Sequence, residues 1–513
     1  MAVLGSEIGA GRADHSRAAI ARLVLGELER SRPFNSRSRL DPGMELEKAG
    51  VDPSRFLDAV RRIEGLYQMR FHEEWLQDIR TCDDLVDCVE RRMLDAADRV
   101  EPESPVGDTA ADAASDPFPE CQAMEERLAG LAEAGLANPF LLSNERVDGS
   151  RASIGGRDVA VFTSFDYLGL AGHPDVKRAA KNAIDRFGCS ASASRMVGGN
   201  NSLLDQLDAE LAAFIGTERA VVFPCGYGTN ASVLGHLCGA DDLILYDELA
   251  HNSIVQGTTA SRAGKRPFRH NDHAQLDGLL RDLRPRYRRV IVAIEGVYSM
   301  DGDYPDLPRF LDVKKRHDAI LYVDEAHSIG TMGPAGRGIC DFFGVSPSEG
   351  DLWMGTISKA LGAQGGYLAG PERLIRYLGF TTPSFVFSTA CSPPNSAAAL
   401  EAIRVLRREP WRVTRLRERS ELFLKLADDA GLDTGPSGGT PVIPVITGSS
   451  SRAILASQLL LERGINARPI LYPAVREAAA RLRFFVTCEH TEEQIVRAVE
   501  AVAEVMAATA AQV

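Results

Sequence analysis

The chain of 513 residues contains no CxxC pair, and its nine cysteines (Cys82, Cys88, Cys121, Cys189, Cys225, Cys238, Cys340, Cys391 and Cys488) are scattered and odd in number. That pattern argues against a disulfide framework and reads as reduced thiols in a reducing compartment, with no metal centre expected. Positive charge is in short supply: 58 Lys and Arg face 71 Asp and Glu, a net charge of −13. Neither nucleic acid nor an anionic membrane surface is therefore expected as a partner. Long apolar runs are missing as well. Nothing approaches the roughly twenty residues of a membrane span, and the opening MAVLGSEIGAGRADH has no secretory apolar segment, so a cytoplasmic protein is expected. Tandem repeats are absent, and the alanine-rich tail AEVMAATAAQV reads as a fraying helix end.

What is present is an ordered series of short polar motifs, each following an apolar run. GTISKALG places Lys359 among small residues, and the strand-like LYVDEAH upstream places Asp324 and His327. A lysine that can form an imine, with a carboxylate that keeps a pyridine nitrogen protonated, is what pyridoxal phosphate chemistry demands. Further upstream stand EGVYSMDGD from Glu295, AHNSI with His251, and FPCGYGTN from Phe223. The last joins an apolar run to a helix-compatible segment, which brings free N–H groups to a phosphate. Each segment alone has an ordinary structural explanation: a solvated lysine, a core histidine, a strand-to-helix turn. Their order is hard to explain by packing.

From Asn138 to its end, the sequence resembles the α-oxoamine synthases, fold-type I pyridoxal phosphate enzymes, and most of all those that accompany polyketide synthases. The motifs carrying the resemblance are FDYLGLAGHP, GYGTN, AHNSI, HND (His270 to Asp272), EGVYSMDGD, VDEAHSIG, the lysine motif, FSTACSPP and RLRFF. The resemblance implies that Lys359 carries the cofactor as a Schiff base, Asp324 pairs with the pyridine nitrogen and His251 stacks on the ring. His327 and Ser299 would lie near the ring hydroxyl. Gly226, Tyr227, Thr356 and Ser358 would lie near the phosphate, with Ser388 and Thr389 reaching it from the partner of a homodimer. Arg483 would take the amino acid carboxylate. Two positions depart from the family pattern: Asp166 stands where Asn is usual and would repel the substrate carboxylate unless it points elsewhere, and Leu204 stands where most members have a histidine. Met300 reads as core, and the RRVIV cluster at Arg288 as a solvated strand entry.

The N-terminal part reads differently. Helical patterns at 17–30, 54–67 and 81–92 suggest a small helical bundle over residues 1–100. MELEKAGVDPSRF resembles the phosphopantetheine attachment region of acyl carrier proteins, with Ser54 as the candidate acceptor. The carrier motif is damaged, since Pro53 stands at the position of the modified serine, and Asp52-Pro53-Ser54 is sufficiently explained as a helix start, with Asp at the N-cap and Pro at the first helical position. EPESPVGDTAADAASD makes residues 101–117 a linker by composition. Residues 118–513 form the expected catalytic unit, an α/β fold with a mostly parallel sheet in a large domain (about 164–410). A smaller α/β domain (about 411–513) is joined by the unit's own N-terminal segment.

The activity implied is decarboxylative condensation of a small amino acid (Gly, Ala or Ser) with an acyl thioester on coenzyme A or an acyl carrier protein, in a polyketide or lipid-like pathway. Two rivals remain open at this point: an aminotransferase using the same lysine, and a catalytically degenerate carrier or docking protein.

Overall fold

The computed structural model describes residues 79–97, 118–133 and 135–510, with single positions between 21 and 63. Two compact units divide the chain, at 1–117 and 118–513. In the first, Val24, Leu28, Val60, Ile63, Leu85, Val86 and Val89 form a small apolar core of their own. Its helix Cys82–Ala97 starts at a reciprocal cap. The Thr81 N–H donates to the Asp84 carboxylate (2.7 Å), while the Asp84 N–H donates to the Thr81 hydroxyl (3.2 Å), so each satisfies an orphan donor of the first turn. Ser54, the 101–117 linker and most of the two earlier helical patterns lie outside the described residues.

The second unit is built on a seven-stranded sheet. In chain order its strands are β1 (Arg219–Phe223), β2 (Asp242–Asp247), β3 (Gly264–Phe268), β4 (Arg289–Glu295), β5 (Ile320–Asp324), β6 (Leu352–Thr356) and β7 (Gly366–Gly370). Across the sheet they run β1-β7-β6-β5-β4-β2-β3. Only β7 is reversed; it pairs antiparallel with both β1 and β6. Strands such as RVIVAIE and LWMGT are buried on both faces, because helices cover the sheet on either side, and so read as continuous apolar runs rather than alternating ones. In an open parallel sheet the crevice outside the carboxyl ends of the strands is where ligands bind. Here β2, β4, β5 and β6 end on Asp247, Glu295, Asp324 and Thr356.

A second sheet joins the segment before this core to the chain's last part. Strands Arg146–Asp148, Arg151–Ile154 and Arg157–Val161 form a meander, and Ile465–Asn466 adds to its edge in parallel with Ala160 and Val161. A third sheet holds Val442–Ile446, Arg481–Phe485 and Arg468–Ile470, all antiparallel. Arg288 and Arg289, read as a solvated strand entry, do more than meet water. Both guanidinium groups donate to the buried carboxylate of Asp242, at 2.7 and 3.0 Å, and tie the starts of β4 and β2 together.

Candidate active site

A cavity of about 380 Å³ opens at the carboxyl ends of the parallel strands. At one end, helix Gly226–Leu237 begins directly after β1, with Cys225 as N-cap and its Sγ accepting from the Gly228 N–H at 3.3 Å. The N–H groups of Gly226 and Tyr227 have no acceptor among the described residues. A Cβ on Gly226 would sit 3.1 Å from the Thr356 hydroxyl, a tight contact that the glycine avoids as the helix start approaches β6. Two free N–H groups at a helix N-terminus suit a phosphate. The hydroxyls of Thr356 and Ser358 lie beside them and donate to the Gly365 carbonyl at 2.8 and 3.1 Å.

Deeper in the cavity the buried carboxylate of Asp324 is fixed by two donors, the Asn230 amide (2.6 Å) and the Ala326 N–H (2.8 Å). Asn230 is itself held by the Tyr322 hydroxyl at 2.7 Å. His251 caps helix Asn252–Ala260, with Nδ1 against the Ser253 hydroxyl at 2.7 Å and its backbone N–H donating to Glu295 at 2.6 Å. Burial, with Lys359 and Arg483 nearby, lowers the pKa of the His251 imidazole despite the opposing pull of Asp324. Burial, and then the charge of Asp324, pushes the Glu295 carboxyl well up. His327 is buried, accepts or donates at Nδ1 to the Tyr167 hydroxyl (2.7 Å), and is held well below the ordinary histidine range by burial and by Lys359.

Lys359 lies in the bend after β6, half-buried, with Nζ 5.6 Å from the centre of the Phe165 ring. Burial lowers its ammonium to about 8, against the opposing pull of Asp324 and Glu295. Arg483 faces it from strand Arg481–Phe485. Its Nη1 donates to the Ser299 carbonyl (2.8 Å) and approaches the Met300 sulfur (3.3 Å), while its buried Nε has no partner. Burial brings this guanidinium down to about 10.

The cavity thus gathers Gly226, Tyr227, His251, Ser299, Asp324, His327, Thr356, Ser358, Lys359 and Arg483. Three candidate residues do not line it within one chain. Asp166 places its two carboxylate oxygens on the Leu170 and Ala171 N–H groups (2.8 and 3.2 Å), closing a turn. Ser388 and Thr389 do not line it within one chain either. Met300, read as core, lines it beside Arg483. Asn230, Glu295 and Tyr167 were not singled out from the sequence, although all three lie in quoted motifs or directly beside them. The set fits a phosphorylated pyridine: free N–H groups at one end, an oriented carboxylate at the other, and a lysine amine of depressed pKa between walls formed by His251 and Phe165.

Comparison with known proteins agrees with this geometry. Residues 157–502 match the family of class I and II aminotransferases. An 8-amino-7-oxononanoate synthase of Symbiobacterium thermophilum is 39% identical over 382 residues, 74% of this chain and 96% of that protein. A serine palmitoyltransferase structure from Sphingomonas wittichii superposes with a TM-score of 0.74 at 31% identity, covering 77% of this chain and 99% of that one. A structure of SPT with its PLP internal aldimine superposes equally well, at 28% identity and the same coverage. The chain belongs to the α-oxoamine synthases. Its fold is therefore the type I fold of pyridoxal phosphate enzymes, here an α-oxoamine synthase unit preceded by residues that the family match does not reach.

Proposed function

We propose that this pyridoxal phosphate-dependent transferase condenses a small amino acid, glycine, alanine or serine, with an acyl thioester and releases carbon dioxide and an α-amino ketone. The observation that carries the reading is Arg483: a half-buried guanidinium whose buried Nε–H is unpartnered, lining the same cavity as Lys359, is a site prepared for a carboxylate. An aminotransferase would use the same lysine, but would not release carbon dioxide.

The cofactor, once bound, supplies an electron sink for the bonds at Cα. The residues of the chain do the rest. Gly226 and Tyr227 N–H groups would hold the phosphate, Asp324 would face the pyridine nitrogen with its orientation fixed by Asn230 and Ala326, and His251 would cover one ring face. Lys359 Nζ takes the Cα proton; an amine whose proton leaves at about 8 is well matched to that exchange near neutral pH. Arg483, by holding the carboxylate, sets which Cα bond stands perpendicular to the ring. Cα attacks the thioester carbonyl, the C–S bond breaks and the thiol leaves. The carboxylate carbon then departs as carbon dioxide and Cα regains a proton. A homodimer would complete the phosphate site with Ser388 and Thr389 of a second copy. The acyl group would arrive on coenzyme A or an acyl carrier protein, in a polyketide or lipid-like pathway of the cytoplasm, and Ser54 of the N-terminal unit is the candidate phosphopantetheine acceptor.

The test is to add glycine, L-alanine and L-serine to the purified holoenzyme while following the cofactor spectrum, then to supply acyl thioesters and trap labelled carbon dioxide. Intact mass after treatment with a phosphopantetheinyl transferase reads Ser54. Thioester-dependent carbon dioxide release supports condensation. Spectral changes with no carbon dioxide from any thioester would favour the aminotransferase, and no cofactor band at all would favour the docking protein.

A further inference from the structure

The HND motif has no part in the chemistry above, yet its histidine is among the most heavily bonded side chains of the unit. His270 sits between two buried carboxylates: Nδ1 lies 2.9 Å from Asp247 at the end of β2, and Nε2 lies 2.7 Å from Asp303. With a carboxylate against each ring nitrogen, both contacts are satisfied when both nitrogens donate, and an imidazole donates from both only as the cation. Burial opposes that charge, but the bonds to Asp247 and Asp303 outweigh it and keep the ring protonated up to about 10. Asn271 reinforces the bridge, donating from its backbone N–H to Asp247 (2.8 Å) and from its amide to Asp303 (2.9 Å).

The loop held at Asp303 is the one that touches Arg483. Residues 298–303 close on themselves, with the Tyr298 N–H donating to the Asp303 carbonyl (2.9 Å) and the Gly302 N–H to the Tyr298 carbonyl (2.9 Å). Ser299 and Met300, inside this loop, make the contacts on the Arg483 Nη1. Its far side is equally constrained: the Gly302 carbonyl accepts from Thr440 at 2.8 Å, and Gly302, at φ +70°, has no room for a Cβ against the Val442 carbonyl. The loop is a short rigid strut with His270 at one end and Arg483 at the other.

We propose that His270, as an imidazolium bridging Asp247 and Asp303, is a positioning residue that fixes the 298–303 loop and through it the guanidinium that receives the amino acid carboxylate. The inference rests on the reading of Arg483 given above. A misplacement on the order of 1 Å at a substrate-positioning group can cost about a hundredfold in rate.

The experiment measures the dissociation constants of glycine, L-alanine and L-serine by spectral titration of full-length holoenzymes carrying His270→Ala, Arg483→Ala and both changes. Expected are an unchanged cofactor band in His270→Ala, a dissociation constant raised about tenfold or more, and no further increase when His270→Ala is added to Arg483→Ala, since residues acting through one another are not additive. An effect of His270→Ala that persists undiminished in the double variant would overturn the inference, as would an unchanged constant in the single variant while Arg483→Ala raises it. Arg483→Ala without effect would instead remove the underlying reading, and is seen separately. Should His270→Ala lose its cofactor band or fail to accumulate, Asp303→Asn, which keeps the side chain's size but not its charge, is titrated in its place. It is expected to weaken amino acid binding in the same direction, and wild-type affinity there overturns the proposal.

Discussion

Arg481 and Arg483 stand two residues apart on one strand, both on the side facing the 298–303 loop, and they are treated in opposite ways. Arg481 is well partnered: it pairs with Asp301 and donates to the carbonyls of Ala479 and Met300. Arg483 has one carbonyl, a sulfur contact and a buried Nε with nothing to bond. The same contrast separates two regions of the unit. Around it, buried charges meet opposite charge, as at His270 with Asp247 and Asp303 or Asp242 with Arg288 and Arg289, although Oδ1 of Asp303 has no partner among the described residues. Inside the cavity, charge and donors are left under-partnered and pKa values are displaced, upward for Glu295 and downward for Lys359. An incompletely satisfied buried group carries a desolvation cost that a ligand of complementary charge can relieve. A counter-ion at Arg481 and the lack of one at Arg483 thus separate the two arginines.

The contrast is broken most severely at Lys359. Lys359→Ala should eliminate turnover, a loss on the order of a thousandfold or more, and abolish the absorbance of covalently held cofactor; activity comparable to the parent enzyme would end the assignment. Asp324→Ala should cost several orders of magnitude in kcat while the lysine-linked band persists, because the carboxylate acts on the charge that develops during reaction. Steady-state kinetics with an acyl thioester reads both.

The two arginines sharpen it further. Arg483→Ala should weaken amino acid use by about 2 to 4 kcal/mol with little change in melting temperature, the loss appearing in kcat/KM for the amino acid. Arg481→Ala leaves Asp301 uncompensated in a buried setting and should lower stability by about 3 kcal/mol or more, seen in denaturant unfolding. Exchange of these two outcomes would reverse the argument.

A smaller effect concerns pH. Because burial holds Lys359 at about 8, the rate at which the cofactor-free protein takes up pyridoxal phosphate should rise through pH 8 and level off above it, followed by absorbance. Linkage has a definite sign: between about 8 and the ordinary lysine range the unfolded chain binds a proton that the folded one does not, so this group's contribution to stability increases with pH across that window. A rate still climbing toward pH 10 would show an unperturbed lysine.

Much of this site is legible in the sequence because each motif follows an apolar run: a fully buried strand that ends on Asp324 or Thr356 delivers that residue to the crevice whatever the rest of the chain does. Partners across the chain are harder to read. Asn230 meets Asp324 and Tyr167 meets His327 only once strand order and register are set, and nothing local in GYGTN or FDYLGL signals either contact. Met300 is apolar and reads as core, yet a thioether suits a cavity wall as well as a core. Arg288 and Arg289 look solvated because Asp242 lies far from them in sequence. Ser388 and Thr389 fall outside the cavity of one chain.

Asp166 gives the smallest expected effect and the finest test of the contrast. It is half-buried, its carboxyl is pushed up to about 6 mainly by loss of solvent, and both oxygens are engaged by backbone N–H groups of the turn that carries Tyr167 toward His327. With both oxygens so engaged it reads as a structural carboxylate. Asp166→Asn keeps the shape and one accepting oxygen but offers its NH2 group to the other N–H, so one bond is lost, worth about 1 kcal/mol. A small fall in melting temperature with unchanged kinetic constants for the amino acid is expected. A change in amino acid KM with stability intact would instead return Asp166 to the substrate, and would show that a carboxylate engaged at both oxygens can still serve the site.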